Sequence, residues 1–71
     1  MMEDKNPIDP EHYKRLNPQP IDIVEAWGLD YHLGSALKYL SRAGHKNDEI
    51  QDLEKCIWFI RRKIQKLKGI N

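Results

Sequence analysis

Apolar residues in the last third of the chain recur at alternating intervals of three and four. Ile50, Leu53, Ile57, Ile60, Ile64 and Leu67 form one stripe, the a/d pattern of a heptad helix carried over three repeats. The pattern predicts a helix over 48–68, roughly 30 Å long at the usual rise per residue. Asp48 and Gln51 suit its start as a capping-box-like pair, and Gly69 suits its stop. Trp58 and Phe59 fall off the stripe onto a second face. A helix with two apolar faces has to be covered on two sides. Two short helices cannot easily cover both, so one face is expected to pack within the subunit and the other against a second copy.

Two shorter helices are expected upstream. Pro20 suits a first helical position, where its missing N–H costs nothing. Ile21 and Val24 follow at helical spacing, and Gly28 closes this helix, over 20–28. Asp30 is a good N-cap for a second helix over 31–43. Its apolar stripe is Leu33, Ala36, Leu37, Leu40 and Ala43, and Gly44 stops it. Before them, residues 1–19 hold Pro7, Pro10 and Pro18, a density that blocks long helices and strands and predicts an extended arm. No segment alternates as a strand does. The expectation is an all-α chain of one domain, residues 1–71, whose three helices assemble as a homo-oligomer.

Size sharpens that expectation. Domains below roughly 70–80 residues usually need a disulfide, a metal or a partner subunit to be stable. The single cysteine, Cys56, excludes an internal disulfide and reads as a small buried apolar residue. His12, His32 and His45 have no zinc-binding spacing with one another or with Cys56, so no metal is expected. Self-association through the long C-terminal helix is the remaining route. One cysteine suits a reducing compartment. No leader is recognised in MMEDKNPIDP, and no apolar run approaches the ~18 residues needed to cross a membrane. The expectation is a cytoplasmic protein with no membrane partner.

Net charge is +1, but unevenly spread. Residues 1–54 carry 6 basic and 11 acidic side chains, and residues 55–71 carry 6 basic and no acidic ones. The basic end reads either as a nucleic-acid footprint or as cations answering the helix dipole. The acidic first part would repel a duplex, so nucleic acid is not the expected partner.

Candidate chemistry gathers on the second helix. Tyr31, Ser35, Lys38 and Arg42 are spaced 4, 3 and 4, which sets them on one face, away from Leu33, Leu37 and Leu40. His45 and Lys46 follow. A ring to stack on a base, a hydroxyl and several cations suit a phosphate-bearing ligand; the same face also reads as solvated charge. Gly34, in the first turn, admits either a ligand or a closely packed helix, at a cost of about 1 kcal/mol in helix propensity. On the arm, His12 and Tyr13 either fold over a ligand or cover the core. No GxxxxGK[ST] loop and no Ser/His/Asp set with diagnostic context is present.

The strings HYK at His12–Lys14, PIDIVEAWGLDYHLGSALKYLSRAGHK at Pro20–Lys46 and EIQDLEKCIWFIRRKI at Glu49–Ile64 together resemble a small bacteriophage domain family of unknown function. One member of that family is a phage nucleotide kinase that acts on deoxynucleoside monophosphates without a Walker loop. The positions that match are His12, Tyr13, Tyr31, His32, Gly34, Lys38, Tyr39, Arg42, Lys46, Asp52, Lys55 and Trp58. Ser35, Cys56 and Phe59 depart from its pattern. The resemblance implies that Lys38, Arg42 and Lys46 face phosphate.

The expected function is a phage-type protein in the host cytoplasm. It would bind a nucleotide or similar phosphate-bearing ligand without chemistry, through His12, Tyr13, Tyr31, Ser35, Lys38, Arg42 and Lys46, with no cofactor. A host defence signalling nucleotide is one candidate ligand. One alternative is a minimal nucleotide kinase, with Asp52 holding Mg²⁺. The other is an inhibitor that binds a host protein.

Overall fold

The computed structural model describes residues 16–45 and 48–69. Within them the chain forms three helices, α1 (Pro20–Trp27), α2 (Tyr31–Arg42) and α3 (Glu49–Lys68), and no strand. Each start has a local cause. At α1 the backbone N–H of Gln19 donates to Asp22 Oδ2 at 3.0 Å, and Pro20 occupies the first turn. At α2 the Leu33 N–H donates to Asp30 Oδ1 at 2.9 Å. At α3 the Gln51 N–H donates to Asp48 Oδ1 at 3.1 Å. Each carboxylate satisfies a backbone donor that the first turn leaves unpaired.

The stops are equally local. Gly28 adopts φ 65°, and the Leu29 N–H reaches back to Val24 O at 3.0 Å. Gly44 adopts φ 81°, and the neighbouring His45 N–H bonds Arg42 O at 2.9 Å. A side chain at either glycine would be strained, since this left-handed region crowds Cβ.

α2 and α3 run antiparallel as a hairpin, with α1 laid against α2. Residues equally or nearly equally distant from the turn face one another: Arg42 meets Asp52, Tyr39 meets Lys55, and Asp30 meets Lys63. Two small residues, Ala36 at 5% exposure and Cys56 at 8%, form the buried apolar centre. Their size lets the two helices close. Beside them Phe59 carries the packing, stacked on Tyr39 at 5.9 Å and 13° and meeting Tyr31 edge-on at 5.9 Å and 76°. Such aromatic pairs contribute about 1 kcal/mol each beyond the area they bury. Lys63 pairs with Asp30 and ties the start of α2 to the second half of α3.

The two apolar faces of α3 are thereby distinguished. Asp52, Cys56 and Phe59, spaced four and three, turn inward, and Lys63 continues that line. The heptad stripe from Ile50 to Leu67 turns outward and stays exposed. Trp58, grouped with Phe59 in the sequence reading, meets Phe59 edge-on at 5.0 Å yet is largely exposed itself. Leu40 is likewise exposed rather than part of a buried stripe. No described helix is long and apolar enough to cross a membrane.

Candidate functional site

α1 and α2 diverge from their junction at Leu29 and leave a cleft of about 290 Å³. Pro20, Ile21 and Val24 form its apolar wall on α1. Tyr31, Gly34, Ser35 and Lys38 form the facing wall on α2. The volume lies just at the lower limit of the range for small-molecule sites, about 300 Å³. Gly34 matters to the shape. A Cβ there would lie 3.4 Å from Val24 Cγ2 and 3.7 Å from Val24 Cγ1, ordinary contact distances that would fill the space between the walls.

Lys38 ends the cleft and begins a second feature. Its Nζ lies 5.2 Å from the centroid of the Tyr39 ring. Lys55 Nζ, from α3, lies 5.3 Å from the same centroid, and Arg42 Cζ lies 5.6 Å from it. Three cations thus surround one aromatic ring, within the range at which a ring quadrupole attracts a cation. Three like charges gathered about one ring repel one another to the extent that salt does not screen them. A bound anion would relieve that repulsion.

Arg42 also reaches inward. Its Nε lies 3.8 Å from Asp52 Oδ1. Asp52 is 2% exposed, and neither Arg42 Nε nor Asp52 Oδ2 makes a hydrogen bond. This ion pair is loose for a buried one, and the carboxylate retains unused acceptor capacity. Among the described residues no ion pair joins Lys38 or Lys55 to a carboxylate.

Asp30 and Cys56 are titratable groups whose surroundings perturb them. The Leu33 N–H and the Lys63 ammonium hold the Asp30 carboxyl below its ordinary range. Burial pushes the Cys56 thiol up, so it is a weaker nucleophile than a free cysteine at neutral pH.

Of the residues singled out from sequence, Tyr31, Ser35 and Lys38 share the cleft. Arg42 is separate from it, set against Asp52 and Tyr39 in the hairpin. His12, Tyr13 and Lys46 lie outside the described residues. The face expected to look away from the core does not do so uniformly. Ser35, Lys38 and Arg42 are half-buried, because α1 and α3 flank α2 on that side. Tyr39 and Lys55, named from sequence only as positions matching the family resemblance, are sixteen positions apart, and helical spacing does not bring them together. Folding the chain back on itself between Gly44 and Asp48 would have paired them. His45, just past α2, has an exposed side chain.

Together these features define a small helical domain with an apolar cleft leading to a cation-rich aromatic cluster. The chain belongs to the family of proteins of unknown function designated DUF3310, which it matches over residues 8–61. No curated protein and no solved structure matches it.

Proposed function

We propose that this protein binds a nucleotide, or a nucleotide-like phosphate-bearing ligand, and releases it unchanged. The observation that carries this reading is the double position of Lys38, at the end of an apolar cleft and in a cluster of three cations. A base would enter between Val24 and Tyr31, with the Ser35 hydroxyl within the same cleft. The phosphates would lie toward Lys38, and toward Arg42 and Lys55 beyond it, as charge-assisted acceptors. Retention without turnover suits a protein that withdraws a nucleotide from circulation, a host defence signal included. The proposal extends to self-association through the outward stripe of α3.

The kinase reading would place Mg²⁺ on Asp52. That carboxylate is buried in the hairpin against Arg42, which favours binding over phosphoryl transfer.

Calorimetric titration with nucleoside mono-, di- and triphosphates and cyclic dinucleotides tests the reading, with recovered ligand analysed by mass spectrometry. Binding of at least one class is expected, weakened tenfold or more in Lys38→Ala, with the ligand recovered intact. A phosphorylated product in the presence of ATP and Mg²⁺ would establish the kinase instead. Absence of binding across the panel would overturn the nucleotide reading.

A further inference from the structure

Among the described residues, the heptad stripe of α3 is an extended apolar surface that neither the cleft nor the hairpin uses. Ile50, Leu53, Ile57, Ile60, Ile64 and Leu67 are 38–74% exposed. Together they leave on the order of 600 Å² open, at the top of the range for a monomer's largest apolar patch and near the ~800 Å² that a standard interface covers per partner. The stripe has a shallow groove at its middle, walled by Glu54, Ile57, Trp58 and Arg61. Large residues spaced as heptad a and d positions are what a facing helix needs for knobs-into-holes packing.

The charges beside the stripe indicate how that helix runs. Glu49 and Glu54 flank its first half, and Arg61 and Lys68 flank its second. With Ile50 as position a, Glu49 and Lys63 are g positions, while Glu54, Arg61 and Lys68 are e positions. A parallel pair of α3 helices brings g against e one heptad on. Glu49 would then meet the partner's Glu54, a like-charge pair, while Lys63 is held by Asp30 within its own subunit. An antiparallel pair brings e against e. Glu54 then meets the partner's Arg61, and the two-fold axis makes the same pair again.

We infer that α3 pairs with α3 of a second copy in antiparallel orientation, about a two-fold axis near Ile57 and Ile60, with Glu54 and Arg61 exchanged across it. In this arrangement Ile50 layers on the partner's Leu67, and Leu53 on the partner's Ile64, so the whole stripe is covered. Asp52, Phe59 and Lys55 stay on the other sides of α3, and the cation cluster remains open to ligand. The inference rests on the self-association part of the reading above and is independent of the nucleotide.

Sedimentation equilibrium of the full chain, with two charge-reversed variants, tests it. The unaltered protein is expected to be a dimer. Glu54→Arg sets a second guanidinium against the partner's Arg61, twice over by symmetry, and should weaken the dimer at least tenfold. Arg61→Glu should do the same with two acidic pairs. Mixing the two variants should restore a heterodimer of near-original affinity, because both crossing pairs become complementary. Neither exposed substitution touches the hairpin, and circular dichroism should show unchanged helicity. Tighter association in Glu54→Arg, where the new arginine would meet the partner's Glu49, would mean a parallel pair and overturn the inference while leaving self-association intact. A monomer at every concentration would overturn both, and would assign the stripe to another occupant, the first fifteen residues of this chain or a foreign protein.

Discussion

Arg42 and Asp52 face each other across the hairpin, Nε to Oδ1, at 3.8 Å. The two partners are not equally placed. Asp52 is almost wholly enclosed, whereas the Arg42 side chain keeps 23% of its surface in solvent. Losing one partner therefore has different consequences on the two sides. Arg42→Met leaves a buried carboxylate with no counter-charge and should cost about 2 kcal/mol. Asp52→Leu leaves a guanidinium that can turn outward, and should cost less than half of that. Urea unfolding with constant m-values measures the difference. Equal losses in the two variants would contradict this account of the pair. Lys38, which has no such internal duty, is the cleaner position for probing ligand binding.

Gly34 separates stability from binding. Alanine at this position improves helix propensity by about 1 kcal/mol, and its Cβ meets Val24 at ordinary contact distances. Gly34→Ala should therefore raise the unfolding midpoint while narrowing the cleft, so ligand affinity should fall several-fold. A more stable protein that binds as well as before would show that the glycine serves helix packing alone.

Acid should loosen the start of α2. The folded-state pKa of Asp30 is depressed, first by the Leu33 N–H and then by Lys63. A depressed carboxyl contributes stability that is full above its unfolded value, about 3.9, and is lost as pH falls through that value toward the folded one. Asp30→Asn retains a capping oxygen but removes the charge. Its melting temperature should lie below that of the unaltered protein at neutral pH, and the two curves should converge below about pH 4. Parallel curves across that window would assign no linkage to Asp30.

Cys56 should be quiet. Burial beside α2 and a raised thiol pKa both slow attack. Labelling with a chromogenic disulfide at neutral pH should proceed far more slowly than with free cysteine and become immediate in denaturant. Fast stoichiometric labelling of the folded protein would mean that the α2–α3 seam opens readily.

The helices were legible in the sequence because their causes are local. Asp30 and Asp48 cap, Pro20 starts, and Gly28, Gly44 and Gly69 stop, whatever lies across from them. The direction in which α3 turns was not legible. Its inward line includes Asp52, Cys56 and Lys63, more polar than the outward Ile and Leu stripe, so hydrophobic periodicity favours the wrong side as the intramolecular one. Only the hairpin register, which brings Arg42 to Asp52 and Phe59 between Tyr31 and Tyr39, resolves it. The site was legible in the same measure. Tyr31, Ser35 and Lys38 follow from spacing along one helix, whereas Tyr39 with Lys55, and the α1 wall at Ile21 and Val24, exist only where separate helices meet.

The two tryptophans stand on different parts of this surface, both exposed: Trp27 at the end of α1 and Trp58 beside the groove on α3. Removing one indole leaves the other as a site-specific light source. In Trp27→Phe the remaining emission would arise from the α3 groove alone, so its wavelength and quenching would report whatever covers that groove. In Trp58→Phe the signal would come from the end of α1 and serve as an internal reference. The chain thus carries its own fluorophores for following contact at α3 separately from events elsewhere, without any added dye.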